Sequence, residues 1–291
     1  MGPSWTSPVA QAALRAVPRP VVGWAFTHPP RVPQAALPWW VRRRAASTSY
    51  AVGAATVATA TPDDALPGRH VVLLHGGAYV LSSPSAHWRV LLRVARAGRA
   101  RATYVEYPLA PEHTVEQTTE AVLEVWAELA RRHPEDELVL VGDSAGGGLA
   151  LVTAQLLRDR DLAPRPQRLA LLSPWVDLTL DDPETLHLDA VDQVLPRSGL
   201  LTAARHYAGG RDLADPLHSP INGDLSGLGD LLVLVSRAEQ FLPQCRRLAE
   251  LAGPGTTVDL REHDLLPHDW PLFGLAEGVE SLQQVADFLW D

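Results

Sequence analysis

The chain of 291 residues contains no lysine, so all 25 of its basic residues are arginine. Schiff-base chemistry with pyridoxal phosphate or a carbonyl substrate requires a lysine amine, and so does the Walker A phosphate loop. The absence of lysine therefore excludes both. No G-x-G-x-x-G pattern follows a predicted strand either, because the glycine cluster at 142–148 carries a serine and has the wrong spacing for a dinucleotide site.

Cysteine is almost absent as well, since Cys245 is the only one in the chain. A single cysteine excludes an internal disulfide and is compatible with a reducing compartment. The histidines occur singly, without the spacing of a zinc site or an H-E-x-x-H helix. We therefore expect no metal and no other cofactor. We also expect a cytoplasmic protein.

Negative charge exceeds positive charge, because the net charge is -9, and the one basic run is Arg42–Arg44. Nucleic-acid binding requires a positive surface for phosphate contacts, so we expect no nucleic-acid partner. No apolar stretch reaches the length that crosses a bilayer, and the N-terminus lacks a charged region followed by an apolar core. The sequence predicts no membrane span and no secretory signal.

Buried-strand runs alternate with helical stretches from residue 71 onward. This alternation is typical of a mostly parallel sheet covered by helices, and it predicts an α/β fold. A pair of antiparallel strands is expected within 45–61, which is rich in small and β-branched residues. The other predicted strands are 71–74, 102–106, 138–141, 169–172, 231–235 and 257–261, and the helices lie near 85–98, 114–132, 146–158, 240–252 and 276–290.

Ser144 lies between a predicted strand and a predicted helix, in the string Gly142-Asp-Ser-Ala-Gly-Gly147. A glycine stands two positions before the serine and another two positions after it, as a sharp strand-to-helix turn requires. Such a nucleophile elbow presents the serine hydroxyl at the carboxyl end of the sheet. It also directs the amide of Ala145, at the start of the helix, toward the same point.

A second small-residue junction, His75-Gly76-Gly77-Ala78-Tyr79, follows the strand predicted at 71–74. Backbone amides on a loop without large side chains can approach the oxyanion that acyl transfer generates. We expect the donors of an oxyanion hole to come from Gly76, Gly77 and Ala78, together with Ala145. Taken alone, this junction also fits a turn in which glycine relieves strain.

A serine nucleophile needs a base, and the base needs an acid to hold its tautomer. Glu239 follows the strand predicted at 231–235, and the loop after the last strand carries His263 and His268. The chain order of serine, acid and histidine is that of the α/β-hydrolases rather than that of other triad folds. The residues alone leave the choice between the two histidines open.

These motifs together resemble those of the hormone-sensitive-lipase-type esterases, a bacterial group of the α/β-hydrolase superfamily. The resemblance covers most of residues 65–291 and includes the strings Tyr107–His113 and Ser173–Thr179. It implies an α/β-hydrolase fold with a mostly parallel central sheet flanked by helices. It also implies Glu239 as the acid and His268 as the base, since the base of this family lies in a short turn before an apolar helix.

Two segments stand outside the alternation, and the resemblance implies that they form a helical cap over the site. They are the N-terminal segment 1–44 and an insertion near 180–215 with a helix near 197–208, while 45–291 forms the hydrolase core. Tryptophans in the first segment either line a pocket or join the cap to the core. We expect Asp189 and Asp192 to be carboxylates of the cap surface. The tryptophans are Trp5, Trp24, Trp39 and Trp40.

The sequence departs from the family pattern at several places. Ala78 replaces the third glycine of the oxyanion motif, and its methyl group narrows the acyl site. Pro108 replaces the usual arginine, and Ser236 replaces a glycine before the acid. If Glu239 points elsewhere, Asp264 or Asp269 remains as a holder of the base. Pro243 and Gln244 also stand where the family often carries acidic residues.

We predict a carboxylesterase-type serine hydrolase that cleaves small-molecule esters of small to medium acyl chain through an acyl-enzyme. The same machinery suits an amide or formamide hydrolase. It also suits a specialised biosynthetic enzyme that performs cyclisation, elimination or acyl transfer. A non-catalytic small-molecule binder is a further alternative, which a complete serine, acid and base set disfavours. A homodimer formed through an exposed edge strand or through the last helix remains an open alternative.

Overall fold

The computed structural model describes residue 4 and residues 18–29 and 37–291. Within these ranges, one sheet of eight strands has the order β1-β2-β4-β3-β5-β6-β7-β8. The first two strands form an antiparallel hairpin, and β2 pairs antiparallel with β4, whereas the remaining pairs are parallel. The α/β architecture with a mostly parallel sheet is confirmed, as is the antiparallel pair expected within 45–61. The strands are β1 (Ala46–Val52), β2 (Ala55–Thr61), β3 (Arg69–Leu74), β4 (Arg101–Glu106), β5 (Glu137–Asp143), β6 (Arg168–Leu172), β7 (Gly229–Ser236) and β8 (Thr256–His263).

Helices cover both faces of the sheet, and the central strands are apolar and almost fully buried because each face packs against them. Short 3₁₀ turns lie at Pro220–Asn222 and Trp270–Phe273. In the described ranges, no helix combines the length and the apolar character that crossing a bilayer requires. The α-helices are α1 (Arg19–Thr27), α2 (Trp39–Arg42), α3 (Pro84–Ala97), α4 (Val115–Arg132), α5 (Ala145–Asp159), α6 (Pro183–Asp189), α7 (Arg197–Ala208), α8 (Leu242–Leu251) and α9 (Ala276–Trp290).

Helix α1 packs against α7, which belongs to the predicted cap insertion. The two helices approach closely at a pair of glycines, where a Cβ added to Gly199 would lie 2.9 Å from the Cα of Gly23. Arg19 of α1 also pairs with Asp189 at 2.5 Å and donates to the carbonyl oxygen of Leu195 at 2.6 Å. The two segments that fell outside the alternation therefore contact each other.

The structure corrects the expectation for Asp192, which is buried rather than on the cap surface. Its carboxylate accepts hydrogen bonds from the amides of Val194 and Leu195, both at 2.9 Å, and from the amide of Gln240 at 3.2 Å. Burial raises the pKa of Asp192 above its ordinary value. Since Gln240 directly follows Glu239, the carboxylate fastens the insertion to the loop that carries the predicted acid.

The predicted tryptophans of the N-terminal segment are not uniform. Trp24 and Trp39 are exposed, and Trp40 packs against the core on the face of the sheet that α3 and α9 cover, whereas Trp5 lies outside the described residues. Trp39 and Trp40 each hold an arginine guanidinium over the ring, at 5.2 Å from the centroid in both cases. Most of the surface of Trp24 and of Trp39 is open to solvent, at 62% and 69%.

Candidate active site

Ser144 lies on the turn between β5 and α5, with φ of 51° and ψ of -120°. A non-glycine residue in this region is strained, and such strain concentrates at functional sites. The flanking glycines make the turn possible, because a Cβ on Gly142 would collide with the backbone of Gly146. A Cβ on Gly146 would in turn collide with the carbonyl group of Leu74. The geometry of the turn therefore requires small residues at positions 142 and 146.

The structure brings together the side chains of Ser144, His268 and Glu239, which are 29 to 124 residues apart in pairs. The Nε2 atom of His268 lies 3.0 Å from the Oγ of Ser144, and its Nδ1 lies 2.6 Å from the Oε2 of Glu239. All three side chains are buried, with exposed fractions of 5%, 4% and 0% for the serine, histidine and glutamate. This hydrogen-bonded chain is the geometry that transfers a proton from a serine to a histidine held by a carboxylate.

The carboxylate of Glu239 is held by two further donors. Its Oε1 accepts hydrogen bonds from the Oγ of Ser173 and from the backbone amide of Ser236, both at 2.8 Å. These bonds leave Oε2 directed at His268. Ser173 follows β6, and Ser236 ends β7, so the ends of two adjacent strands orient the acid. Ser236 stands where the family pattern has a glycine, and its hydroxyl donates to the carbonyl of Leu266 at 2.6 Å.

The imidazole of His268 is favoured in its charged form despite its burial. Burial by itself lowers the pKa of the ring, but the carboxylates of Asp269 and Glu239 outweigh it, so the pKa lies well above its ordinary value. An imidazolium that forms during proton transfer is therefore stabilised where it forms. The ring also meets Phe241 edge-on, with centroids 5.2 Å apart, which limits its rotation.

The other candidates for base and base-holder do not take part in this hydrogen-bonded chain. His263 ends β8, and its ring packs on the indole of Trp270 with centroids 4.8 Å apart. Asp264 is exposed and pairs with Arg237 at 2.8 Å. Asp269 is buried next to His268, but its Oδ2 approaches Nε2, at 3.1 Å, rather than the Nδ1 that a base-holding acid contacts.

The loop after β3 requires one correction to the predicted oxyanion donors. The amide of Gly76 donates to the Oδ2 of Asp143 at 3.0 Å, so it does not point at the space in front of Ser144. Within the described part of the chain, the amides of Gly77, Ala78 and Ala145 donate no hydrogen bond. These three amides therefore remain as donors for an oxyanion.

Asp143 is a functional candidate that the sequence reasoning missed. Besides the Gly76 amide, its Oδ2 lies 3.1 Å from the Nε2 of His87, a residue of α3. Burial raises the pKa of this carboxyl, but His87, His75 and the amide of Gly76 together outweigh burial, so the pKa lies below its ordinary value. The carboxylate thus connects the loop after β3 to the turn that carries Ser144. Its position directly before Ser144, inside the elbow motif, was the available signal.

The same loop is held on its other side by aromatic stacking. Tyr79 stacks on Tyr207 of α7, with centroids 3.8 Å apart and planes within 4°. Ala78 and Tyr79 both have a positive φ, of 55° and 63°. Contacts from the insertion therefore stabilise a loop conformation that side chains other than glycine disfavour.

Gly77→Ala is expected to lower kcat on p-nitrophenyl butyrate by about 100-fold, the size of effect seen when one oxyanion donor is lost. Gly77 has φ of 119°, and a Cβ there would collide with the carbonyl of Leu81. The loop must therefore shift and carry its amides with it. Gly210→Ala is the matched control, because Gly210 also has a positive φ, of 84°, but has nothing within 4 Å of the added Cβ. An unchanged kcat in the Gly77 variant would contradict the assignment of this loop.

In the part of the chain that the structure describes, no group of three or more His, Cys, Asp or Glu side chains is arranged to hold a metal ion.

Sequence comparison matches the chain to a protein family and to known relatives. A protein-family model described as alpha/beta hydrolase fold matches residues 71–272. An acetyl-hydrolase of Streptomyces hygroscopicus is 32% identical over 226 residues, which cover 76% of this chain and 75% of that protein. An esterase of Acinetobacter venetianus is 30% identical over 223 residues, which cover 74% of this chain and 72% of the relative.

Solved structures are similar over nearly the whole chain. An esterase from the bacterial hormone-sensitive lipase family superposes with a TM-score of 0.84 at 28% identity, covering 98% of both chains. A hormone-sensitive lipase from a metagenome library gives a TM-score of 0.79 at 27% identity, covering 98% of this chain and 94% of the other.

Proposed function

Because the chain belongs to the hormone-sensitive-lipase-type esterases of the α/β-hydrolase superfamily, we propose that Ser144, His268 and Glu239 hydrolyse carboxylic esters through an acyl-enzyme. The protein is a carboxylesterase-type serine hydrolase. The observation that carries the residue assignment is the continuous hydrogen-bonded chain from the serine hydroxyl through the imidazole to the glutamate.

In the acylation half-reaction, the Oγ of Ser144 attacks the ester carbonyl while the Nε2 of His268 takes its proton. Negative charge develops on the carbonyl oxygen, which accepts hydrogen bonds from the amides of Gly77, Ala78 and Ala145. Glu239 stabilises the imidazolium through Nδ1. The tetrahedral intermediate then expels the alcohol, which receives the proton from Nε2.

In the deacylation half-reaction, water takes the place of the alcohol. His268 removes a proton from the water, which attacks the acyl carbonyl of the ester with Ser144. The same amides bind the second oxyanion, and Nε2 returns the proton to the serine oxygen as the acid leaves. Both half-reactions therefore use the same histidine to take and return the proton, and the same amides to bind the oxyanion.

We propose a small to medium acyl group as the natural one. Ser144 and His268 are almost fully buried, and Ala78 adds a methyl group to the loop after β3, where the family pattern has glycine. A buried site with a narrowed acyl pocket disfavours long chains, because every further methylene must find room in a closely packed interior.

The experiment is a series of p-nitrophenyl esters from acetyl to dodecanoyl, measured as initial rates. We expect saturable turnover that is highest on short chains and falls as the chain lengthens. A profile that rises toward dodecanoyl would contradict the proposed size. If no ester is turned over while a fluorophosphonate still labels Ser144, the protein would be a specialised biosynthetic enzyme rather than a general esterase.

Several finer points stay predictions from the sequence. They are the cytoplasmic location, the homodimer, and the division of the chain into cap segments at 1–44 and 180–215 and a core at 45–291. The packing of α1 on α7 supports the assignment of both segments to one cap.

A further inference from the structure

Asp269 lies in the loop directly after His268 and has a left-handed backbone, with φ of 52° and ψ of 40°. Aspartate and asparagine tolerate this conformation better than most residues. The turn folds the side chain back toward His268, and its Oδ2 lies 3.1 Å from Nε2. The residue is buried, with 7% of its surface exposed. A carboxylate is therefore built into the wall of the site, next to the reacting atoms.

The Nε2 atom of His268 faces two oxygens at once, the Oγ of Ser144 at 3.0 Å and the Oδ2 of Asp269 at 3.1 Å. In the proposed reaction, Nε2 hands its proton to the departing alcohol oxygen. A group within hydrogen-bond distance of Nε2 must therefore lie beside that oxygen. Asp269 is thus placed against the alcohol part of the ester and not against the acyl part.

The second oxygen of this carboxylate is unused. Oδ1 of Asp269 is buried and has no hydrogen-bond partner among the described residues. Within the same part of the chain, the only ion pair of Asp269 is the one with His268. An unpaired buried carboxylate oxygen is costly, because it has lost its water without gaining a donor. It is therefore ready to accept a donor that a substrate brings.

The charges around Asp269 favour a positively charged donor. Burial is the largest effect on its carboxyl, His268 opposes it, and Asp143 and Glu239 add repulsion, so that the pKa is raised to about 7. The charge of Asp269 contributes to the raised pKa of His87, but the Nε2 of His87 already pairs with Asp143. A cation at Oδ1 would relieve the repulsion among the carboxylates and stabilise the ionised form.

We propose that Asp269 is a specificity residue that selects esters whose alcohol carries a protonated amine. The inference rests on the proposed esterase function of the same site. In the complex, the ammonium group donates a hydrogen bond to the carboxylate, as charge-assisted pairs do in water-poor sites. The pairing also draws the carboxylate away from Nε2, which leaves the imidazole free to accept the proton of Ser144.

The test compares two esters of the same shape, dimethylaminoethyl butyrate and isopentyl butyrate, by pH-stat titration at about pH 8. We expect the wild type to prefer the amino ester by about tenfold or more in kcat/KM. Asp269→Asn, which suits the left-handed backbone, is expected to bring the ratio close to one. Asp264→Asn removes the same charge from an exposed position of the same loop and is expected to leave the ratio unchanged.

A second readout separates specificity from a merely structural role. Asp269 and Glu239 outweigh burial in raising the pKa of His268, so the base is protonated up to a higher pH and kcat/KM falls as the pH drops below that value. With p-nitrophenyl butyrate, Asp269→Asn is expected to move this acid limb to lower pH, because one of the two carboxylates is gone. A structural role would lower the whole profile without moving it.

Asp269→Gly serves as the second variant, since glycine adopts the positive φ without strain. An ester ratio that is the same in the wild type and in both variants, with p-nitrophenyl butyrate still turned over, overturns the inference and leaves the proposed function standing. If the wild type hydrolyses none of the three esters, the proposed function fails and the inference falls with it.

Discussion

Ser144→Ala is expected to lower kcat on p-nitrophenyl butyrate by about 10⁶-fold, which is the loss seen when the nucleophile of a serine hydrolase is removed. Without Oγ there is no atom at 3.0 Å from the His268 Nε2 to attack the carbonyl. The remaining amides and the binding pocket supply only the small residual acceleration that survives in such variants. The fold should be unaffected, because alanine is no larger than serine.

The control is Ser198→Ala, in an exposed position of α7. This variant should keep the wild-type kcat and should still be labelled by a fluorophosphonate, whereas Ser144→Ala should lose both turnover and labelling. Ester turnover at the wild-type rate in Ser144→Ala would remove the serine from the mechanism.

Glu239→Gln is expected to lower kcat by about 10⁴-fold, the loss that follows when the acid of a triad becomes an amide. The physical reason lies in the two oxygens of the carboxylate. Oε1 accepts from Ser173 and Ser236, so the amide oxygen of glutamine takes this place. The amide NH₂ then faces the Nδ1 of His268, which must become an acceptor. The ring proton moves to Nε2, where the base is needed.

The measurement is kcat and KM on p-nitrophenyl butyrate, with Glu250→Gln as the control, because Glu250 is exposed on α8. We expect KM to change little in the Glu239 variant, since the carboxylate is buried behind the imidazole and does not contact the substrate. A loss of less than about tenfold would mean that a different group orients the imidazole.

The arrangement of Ser144, Glu239 and His268 was predictable from the sequence because it depends on local constraints. A sharp strand-to-helix turn permits only small residues at 142 and 146, and this requirement marks Ser144 directly. Glu239 and His268 follow the ends of β7 and β8, and parallel strands bring their carboxyl ends to one edge of the sheet. The choice of His268 over His263 needed the family resemblance, because His263 ends β8 and His268 lies in the loop directly after it.

What the sequence did not reveal depends on contacts between distant residues and on single backbone angles. The amide of Gly76 is used by Asp143, 67 positions later, and nothing in the string His-Gly-Gly-Ala signals it. Asp192 is buried because the insertion folds onto the loop after Glu239. The position of Asp269 against Nε2 follows from its left-handed φ, which the residue type permits but does not dictate.

The most direct test of the account is to trap the acyl-enzyme. The protein is mixed with p-nitrophenyl butyrate, quenched with acid during turnover, and analysed by intact mass and peptide mapping. We predict a mass increase of one butyryl group, located on the peptide that contains Ser144, and its absence from Ser144→Ala. Rapid turnover with no butyryl adduct, or an adduct on any other residue, would contradict the covalent mechanism.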